Sequence, residues 1–343
     1  MKTFFGKTAK GEEVNKYILE NKNGVVVEVL DYGAILHAVY VPDKNGKKED
    51  VTLSCPTVEA YKEDTCFFGS TVGPSANRIA KAECEIDGVK YTLDKNDGEN
   101  NLHTDIPNGL NKRMWSAKEG TNAVTFTTTM VDGEYGLPGN REVSVTYSLS
   151  EDNELKIEYL AHSDKNTIFN MTNHSYFNLG GHKSGSALGH ELQILASKTT
   201  PVGAGTIPTG EIASVVGTAL DFTSPKAVGA DIEADNDQMK LVNGYDFNYV
   251  VDNYDGSMKK IAVLKDPASG RCMEVYTDLP GVQFYSANWV EHVAGKDGAI
   301  YDPRYGLCLE TQYYPDSVHH DNFCDVVFGP KREYHTSTVY KFV

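Results

Sequence analysis

The feature that most constrains the fold of this sequence is a one-by-one alternation of apolar and polar residues. Across residues 142–149, apolar side chains such as Val143 and Tyr147 stand between polar ones, and residues 155–161 repeat the pattern. Successive side chains of a β-strand point to opposite faces, so each run predicts a strand with one buried and one polar face. A short polar segment, 151–153, joins the two runs, and together they predict an antiparallel hairpin.

Further segments show a strand pattern. Residues 261–265 and 271–277 flank the turn sequence Asp-Pro-Ala-Ser-Gly and predict a second hairpin. Residues 24–41 and 123–130 are rich in β-branched side chains and predict additional strands. Helical patterns are rare. Residues 57–64, TVEAYKED, indicate one short helical turn, with the leading threonine as its N-cap.

The order of these elements predicts the fold class. Strands follow strands along the chain, without the alternation of strands and helices that builds a parallel sheet. No low-complexity linker divides the sequence, and no repeat of about 20–50 residues is evident. We therefore expect an all-β protein with few short helices, a large antiparallel β-sandwich formed as a single domain by residues 1–343. Two smaller β domains that divide near residue 200 are the alternative.

The charge balance limits the partners. The 343 residues include 48 acidic and 32 basic side chains, which gives a formal net charge of −16. Nucleic acids and anionic membranes both attract basic patches, so neither is expected as a partner. No apolar run reaches the roughly 18 residues of a membrane span. A small molecule remains the expected partner, and the sequence leaves open whether the chain is a monomer or a homodimer.

Two features indicate the cytoplasm as the location. The N-terminal residues 1–17 are charged and lack the apolar core of a signal peptide. The cysteines are scattered without C-x-x-C pairs, which favours reduced core residues over disulfides or zinc ligands. They are Cys55, Cys66, Cys84, Cys272, Cys308 and Cys324.

The segment 170–179, NMTNHSYFNL, is a candidate binding site because hydrogen-bonding side chains are interleaved there with aromatic ones. A strand this polar either faces solvent or lines a wet cavity. Sugars have apolar ring faces and hydroxyl rims, so this mixture of side chains suits them. A polar edge strand is the structural alternative. The segment contains His174, and its two glycosylation sequons, at Asn170 and Asn173, are interpreted as chance matches.

Three other stretches carry candidate functional groups. Asn77 and Arg78 offer an amide and a guanidinium beside a strand start, and His103 follows a short turn sequence. Glu310 follows the apolar run Leu307–Leu309. Burial there would raise its pKa and suit a general base. Each has a structural alternative: a surface arginine, a structural histidine, and a glutamate paired in an ion pair.

No metal or nucleotide cofactor is expected. The sequence has no H-x-H, H-E-x-x-H or cysteine–histidine cluster, and it has no Walker or dinucleotide-binding glycine motif. The densest histidine group is His319-His320-Asp321. Adjacent strand residues point to opposite faces, so we expect that these histidines do not share an ion. No G-x-S-x-G nucleophile motif is present either.

Six segments, distributed over nearly the whole chain, resemble the aldose 1-epimerase (galactose mutarotase) family. TNHSYFNL and LETQYYPDS are the specific matches, whereas NRIA or NLH alone would be weak. The segments are NRIA (77–80), NLH (101–103), NMTNHSYFNLGG (170–181), GYDFNY (244–249), PGVQFYSANW (280–289) and GLCLETQYYPDSV (306–318).

The resemblance implies a galactose mutarotase-like sandwich with an open cleft, which interconverts the α and β anomers of free aldohexoses such as galactose and glucose without cofactor or metal. It implies His174 as general acid, Glu310 as general base and His103 as a second active-site histidine. We expect nearby carboxylates to raise the pKa of His174, so that it carries a proton near neutral pH. The hydroxyl-binding residues that the resemblance implies are Asn77, Arg78, Asp246 and Gln283.

The chain also departs from the family pattern. His103 is followed by Thr-Asp where the family often has Gly-Gly, Phe247 follows Asp246 where a polar residue or histidine is common, and segment 289–300 differs. These departures concern the sugar preference and the cleft rim. Two other functions remain as alternatives: a non-catalytic sugar-binding relative, and a glycoside hydrolase that uses a carboxylate pair such as Asp246 and Glu310.

Overall fold

A computed structural model describes residues 1–343. It contains two short α-helices, α1 (Val58–Glu63) and α2 (Asp237–Val242), each of six residues. As predicted, Thr57 caps α1: its side chain accepts a hydrogen bond from the backbone N of Ala60 at 3.1 Å. Asn236 caps α2 in the same way. Neither helix has the length that a membrane-crossing helix requires.

Strands form the rest of the regular structure, apart from seven 3₁₀ turns of three residues each. The first fifteen are β1 (Lys2–Lys7), β2 (Glu13–Glu20), β3 (Val26–Leu30), β4 (Ile35–Pro42), β5 (Lys48–Asp50), β6 (Thr52–Leu53), β7 (Ser70–Val72), β8 (Arg78–Ile79), β9 (Glu83–Ile86), β10 (Val89–Thr92), β11 (Asn101–Leu102), β12 (Ser116–Gly120), β13 (Ala123–Met130), β14 (Arg141–Leu149) and β15 (Glu154–Ser163). The others are β16 (Thr167–Ile168), β17 (Thr172–His174), β18 (Tyr176–Phe177), β19 (Glu191–Ile194), β20 (Lys198–Thr199), β21 (Ala213–Ser214), β22 (Lys226–Ala227), β23 (Asp246–Val250), β24 (Lys259–Lys265), β25 (Cys272–Thr277), β26 (Gly281–Tyr285), β27 (Val293–Ala294), β28 (Ile300–Tyr301), β29 (Leu307–Gln312), β30 (Val327–Phe328) and β31 (Tyr334–Phe342).

The strands form three larger antiparallel sheets. The nine-stranded sheet has the order β12-β13-β14-β15-β31-β25-β24-β19-β22, the seven-stranded sheet β21-β20-β23-β26-β29-β18-β6, and the five-stranded sheet β1 to β5. Both predicted hairpins are confirmed, as β14–β15 and β24–β25. Segment 123–130 is one strand, whereas 24–41 divides into β3 and β4 around a turn.

The all-β sandwich prediction is confirmed, because the nine- and seven-stranded sheets pack face to face. The ring centroids of Phe177 and Tyr340, one from each sheet, lie 4.9 Å apart. The hydroxyl of Tyr340 donates to the backbone oxygen of Leu309 at 3.1 Å. One cluster of 66 buried hydrophobic residues extends from Tyr17 to Phe342. Burial of apolar surface between the sheets is the main contribution to their stability.

The seven-stranded sheet is buried on both faces, and this positions the polar residues described below. On β29, Leu309 and Thr311 face the nine-stranded sheet, where Thr311 hydrogen-bonds to Thr338. The period of two therefore turns Cys308 and Glu310 to the opposite face. Both are buried nonetheless, Glu310 with 2 % of its surface exposed.

Candidate active site

Three neighbouring strands, β23, β26 and β29, form the floor of the candidate site. In their antiparallel register Asp246 is opposite Tyr285, and Gln283 is opposite Glu310. The Gln283 amide donates from Nε2 to Oδ1 of Asp246 at 2.7 Å. Alternation along the strands places the hydrophobic neighbours of these residues in the core. The sheet thus presents two carboxylates on one face.

His174 lies beside this floor, at the end of β17. Its Nε2 is 3.6 Å from Oε1 of Glu310. The ring of Tyr176 stacks against its imidazole at 5.1 Å between centroids, and Phe67 stacks at 6.1 Å. These aromatic neighbours exclude water and leave the His174 side chain 8 % exposed. The histidine and the glutamate therefore face each other in a nearly dry environment.

The NRIA and NLH segments meet as two short paired strands, β8 and β11, with Leu102 opposite Arg78. At their ends Asn77 and His103 both adopt left-handed backbone conformations, with φ of 60° and 53°. The backbone N of Asn77 donates to Nδ1 of His103 at 3.1 Å, and the backbone N of His103 donates to the oxygen of Asn77 at 3.0 Å. This contact makes Nδ1 of His103 an acceptor, so its proton resides on Nε2.

Arg78 extends between two carboxylates. Its Nε donates to Oδ2 of Asp97 at 2.8 Å, and its Nη1 is 3.9 Å from Oδ2 of Asp246. Asp97 thus holds the guanidinium through Nε, while the Nη1 side of the group lies beside the cavity. Asp97 precedes the NLH segment and carries no sequence signal of its own, because its partner is 19 residues away.

Burial shifts the pKa values of the acidic groups upward. Desolvation raises the pKa of Glu310 well above its ordinary value, the negative charge of Asp246 adds to this, and Arg78 opposes it. The pKa of Asp246 is also raised by desolvation, with Arg78 and the Gln283 hydrogen bond acting in the opposite direction. The sequence-based expectation that burial raises the pKa of Glu310 is confirmed.

The expectation for His174 was wrong in direction. Desolvation lowers its pKa from 6.5 to about 4, and a hydrogen bond to its own backbone only partly opposes this. The cost of placing a charge among aromatic rings outweighs the attraction of nearby carboxylates. The pKa of His103 is lowered well below its ordinary value, by desolvation and then by the neighbouring His174 and Arg78.

These side chains surround a single cavity of about 220 Å³, a size for one small molecule. Six of the seven residues singled out from the sequence line it, namely His174, Glu310, His103, Asn77, Arg78 and Asp246. The seventh, Gln283, does not. It lies behind Asp246 and contacts that carboxylate instead.

The comparisons with known proteins show the family. The family model for aldose 1-epimerase matches residues 15–341. Galactose mutarotase of Mus musculus is 39 % identical over 343 residues, 99 % of this chain and 98 % of the relative. Aldose 1-epimerase of Escherichia coli K12 is 37 % identical, over 97 % and 96 % of the two chains. The chain belongs to the aldose 1-epimerase family.

Solved structures show the same fold. An aldose epimerase homologue from C. elegans superposes with a TM-score of 0.88 at 29 % identity, covering 100 % of this chain and 99 % of its own. Galactose 1-epimerase from Lactobacillus acidophilus gives 0.86 at 28 % identity, covering 100 % and 98 %. This aldose 1-epimerase is accordingly an isomerase, which interconverts the anomers of aldoses.

The structure explains two of the departures from the family pattern. Phe247 is fully buried and faces the core, away from the cavity, so its identity affects packing and leaves the rim unchanged. Thr104, at a φ of 71°, is held by Ser75: its hydroxyl donates to the Ser75 oxygen and accepts from the Ser75 nitrogen, both at 2.9 Å. Two hydrogen bonds thereby stabilise a backbone conformation that β-branched residues rarely adopt.

Sequence reasoning missed several residues that line the cavity of this aldose 1-epimerase, among them Phe67, Tyr285 and Trp289. Tyr285 and Trp289 belong to the PGVQFYSANW segment, which was the available signal. Trp289 is 59 % exposed, and its backbone N donates to the Tyr285 hydroxyl at 3.1 Å. An exposed tryptophan that lines a cavity offers an apolar contact surface.

The histidine pair His319-His320 does not lie on a strand as expected. His319 ends a 3₁₀ turn, and both rings approach the same carboxylate, Asp316, at 2.6 and 3.6 Å. The reason given for excluding a shared ion was therefore wrong, because the two side chains do not point to opposite faces. Both rings instead contact the Asp316 carboxylate.

A second group, His174, Cys308 and Glu310, has one possible ligand atom from each residue within 4.8 Å of the others. Nδ1 of His174 faces Cys308 and Nε2 faces Glu310, so each ring nitrogen has a neighbouring side chain. That the reaction needs no metal stays a prediction.

Proposed function

We propose that this aldose 1-epimerase interconverts the anomers of free aldohexoses with His174 and Glu310 as its proton-transfer pair. The observation that carries the proposal is their geometry. The two groups face each other at 3.6 Å, both are at least nine-tenths buried, and both line the same cavity. General acid–base catalysis requires such a pair within reach of one substrate.

The reaction needs two proton transfers. Glu310, ionised, takes the proton from the C1 hydroxyl while His174, protonated, gives one to the ring oxygen. The C1–O5 bond breaks, and the C1–O1 bond becomes the carbonyl of the open-chain aldehyde. After rotation about C1–C2 the ring oxygen attacks the other carbonyl face. His174 then takes the proton back and Glu310 returns one to O1.

One proton shared by the pair is sufficient for the whole cycle. The pyranose forms react with the ion pair, His174 protonated and Glu310 ionised, whereas the open chain recloses from the neutral pair. The two states contain equal numbers of protons, so their ratio does not depend on pH. The pKa directions favour the neutral pair in the empty site. A bound sugar that replaces the missing hydration would favour the ion pair.

His103 serves this reaction as a neutral hydrogen-bond donor. Nδ1 of His103 accepts a hydrogen bond from the backbone N of Asn77, so the proton of the neutral ring is on Nε2. Its lowered pKa keeps the imidazole uncharged at neutral pH. A neutral donor can stabilise charge that develops on a sugar oxygen without competing for the proton that His174 transfers.

The remaining polar residues orient the sugar. Arg78 can donate and Asp246 can accept hydrogen bonds from hydroxyls that do not react, and the Asn77 side chain lines the same wall. Gln283 acts indirectly, because its amide holds the Asp246 carboxylate in place. Trp289 and Tyr285 provide the aromatic surface against which an apolar sugar face can pack.

Polarimetry on freshly dissolved α-D-galactose and α-D-glucose, corrected for spontaneous mutarotation, tests the proposal. Glu310→Gln keeps the shape of the side chain but cannot take a proton, and His174→Asn cannot cycle one. Each should lower kcat by at least about 10²-fold, since acid–base catalysis contributes about 10²- to 10⁴-fold. Glu274→Gln and His335→Asn, on the nine-stranded sheet, are the matched controls and should retain wild-type rates.

A folded Glu310→Gln enzyme that keeps more than about a tenth of the wild-type rate would show that Glu310 is not the base. A chromogenic galactoside in parallel separates the alternatives. Cleavage would indicate a glycoside hydrolase, and sugar binding without either activity would indicate a non-catalytic relative. We expect mutarotation and no cleavage.

We also infer the wider setting of the enzyme. The net charge of −16 supports the view that neither nucleic acid nor an anionic membrane is a partner. The six cysteines are free thiols, and Cys66 lines the cavity. Free thiols persist in a reducing compartment, which supports the cytoplasm as the location of the enzyme. The hydrophobic cluster that extends from Tyr17 to Phe342 supports a single domain over residues 1–343. Size-exclusion chromatography distinguishes the monomer from the homodimer.

A further inference from the structure

Cys308 is the residue next to the catalytic pair that the mechanism has not yet used. It lies two residues before Glu310 on β29, so both side chains project from the same face of the strand. Its Sγ is 3.5 Å from Nδ1 of His174, while Glu310 is 3.6 Å from Nε2. The imidazole therefore lies between two side chains on the same face of β29. Nδ1 is next to Cys308, and Nε2 is next to Glu310.

The proton-transfer cycle makes a specific demand on Nδ1. His174 gives and takes its proton at Nε2, the nitrogen that faces Glu310 and the cavity. If Nδ1 lost its proton instead, the neutral imidazole would have a hydrogen on Nε2 and could not act as a base toward the sugar. Nδ1 must therefore keep its proton throughout, and it needs an acceptor.

We propose that Cys308 is a positioning residue, whose sulfur accepts the Nδ1–H hydrogen bond of His174 and holds the ring in the tautomer that reacts at Nε2. The proposal rests on the function assigned to His174 above. Cys308 is the one side chain within hydrogen-bond distance of Nδ1, and the backbone of His174 itself is the other acceptor beside the ring. Being fully buried, it has no water to compete for the contact.

The chemistry of a thiol suits this role better than that of a carboxylate. Sulfur is a weak, neutral acceptor, so it orients the ring without stabilising the imidazolium strongly. A carboxylate in this place would hold the proton on the ring, and His174 would then be a poor donor to the ring oxygen. The thiol stays protonated because burial raises its pKa well above the ordinary value. The other titratable groups around the ring are Glu310, His103, Tyr176 and Tyr285.

Two variants of Cys308 test the proposal, with Cys84→Ala as the matched control. Cys84 is also a buried cysteine, but it packs in the main core away from the cavity. Cys308→Ala removes the acceptor and should lower kcat about 3- to 10-fold, the range that one hydrogen bond controls, with KM within about twofold. Cys308→Ser keeps an acceptor and should recover most of that loss. Cys84→Ala should retain the wild-type kcat.

The tautomer of His174 distinguishes the proposed role of Cys308 from a merely structural one, because a structural role would leave the tautomer unchanged. In ¹⁵N-histidine-labelled wild type, at neutral pH, the His174 resonances should show a protonated Nδ1 and an unprotonated Nε2. In Cys308→Ala the population with a protonated Nε2 should increase, and the acid limb of kcat/KM should move to lower pH by about half a unit. Cys308→Ser should match the wild type or move the acid limb of kcat/KM to higher pH.

Unchanged tautomer populations and superimposable pH profiles in both Cys308 variants would overturn the proposal, whatever their thermal stability. So would a wild-type protein with the proton of His174 on Nε2. The result is distinguishable from failure of the proposed function. If His174→Asn remains active, the function assigned to His174 is wrong. If His174→Asn is inactive and Cys308→Ala matches wild type, only the role of Cys308 is wrong.

Discussion

The unusually low pKa of His174 has a measurable consequence for both titration and stability. Desolvation among aromatic rings lowers this pKa from 6.5 to about 4. We predict that the Cε1–H resonance of His174 in the sugar-free enzyme titrates with a midpoint near 4.

The sign of the stability effect follows from proton binding. A group with a folded-state pKa below its unfolded value binds fewer protons when folded, so stability is lost as pH falls from about 6.5 toward 4. A difference of about 2.5 units corresponds to about 3 kcal/mol once the pH is below both values. Between about pH 7 and about pH 4.5 the His174 contribution alone amounts to about 2 kcal/mol.

Urea unfolding of the wild type and His174→Asn at these two pH values isolates the contribution, because all other groups are common to both proteins. The variant should lose about 2 kcal/mol less than the wild type on acidification.

A His174 midpoint at or above 6.5 would refute the argument, and so would equal acid sensitivity of wild type and His174→Asn. A midpoint above 6.5 would mean that the ion pair with Glu310 already predominates in the empty site, whereas equal acid sensitivity would mean that burial leaves the pKa of His174 unchanged. A midpoint near 4 would instead mean that His174 causes the acid limb of kcat/KM and Glu310 the alkaline limb. The ordinary pKa values of histidine and glutamate suggest the opposite assignment.

Three further predictions follow from individual contacts. Arg78→Ala should raise KM at least about tenfold and move the alkaline limb of kcat/KM to higher pH, since Arg78 lowers the pKa of Glu310; an unmoved limb would contradict this. Lys296→Met leaves the buried Asp50 carboxylate without its ion-pair partner and should cost about 3–5 kcal/mol in urea unfolding, and adding Asp50→Asn should restore much of it. Trp289→Ala should raise KM about 3- to 10-fold and abolish the change in tryptophan fluorescence on galactose binding, because the remaining Trp115 is buried; a persisting fluorescence change would refute the contact.

Much of the architecture was predictable because strand periodicity is local. The hairpins β14–β15 and β24–β25 and the capped helix α1 depend on neighbouring residues and turn chemistry, and each was predicted. The division of 24–41 into two strands was missed, since Gly33 and Ala34, both with positive φ, form a turn that the β-branched pattern conceals.

The sequence by itself determined the all-β class and, through the resemblance, the set of polar residues from which the site is built. Because the motifs keep the types of the polar residues, six of the seven residues singled out from the sequence line one cavity. What only the tertiary structure decided was their environment. Gln283 lies behind Asp246, Asp97 reaches Arg78, and Cys308 contacts His174, because these contacts depend on the register of strands distant in sequence. The low pKa of His174 has the same origin: desolvation depends on the side chains that the fold packs around it.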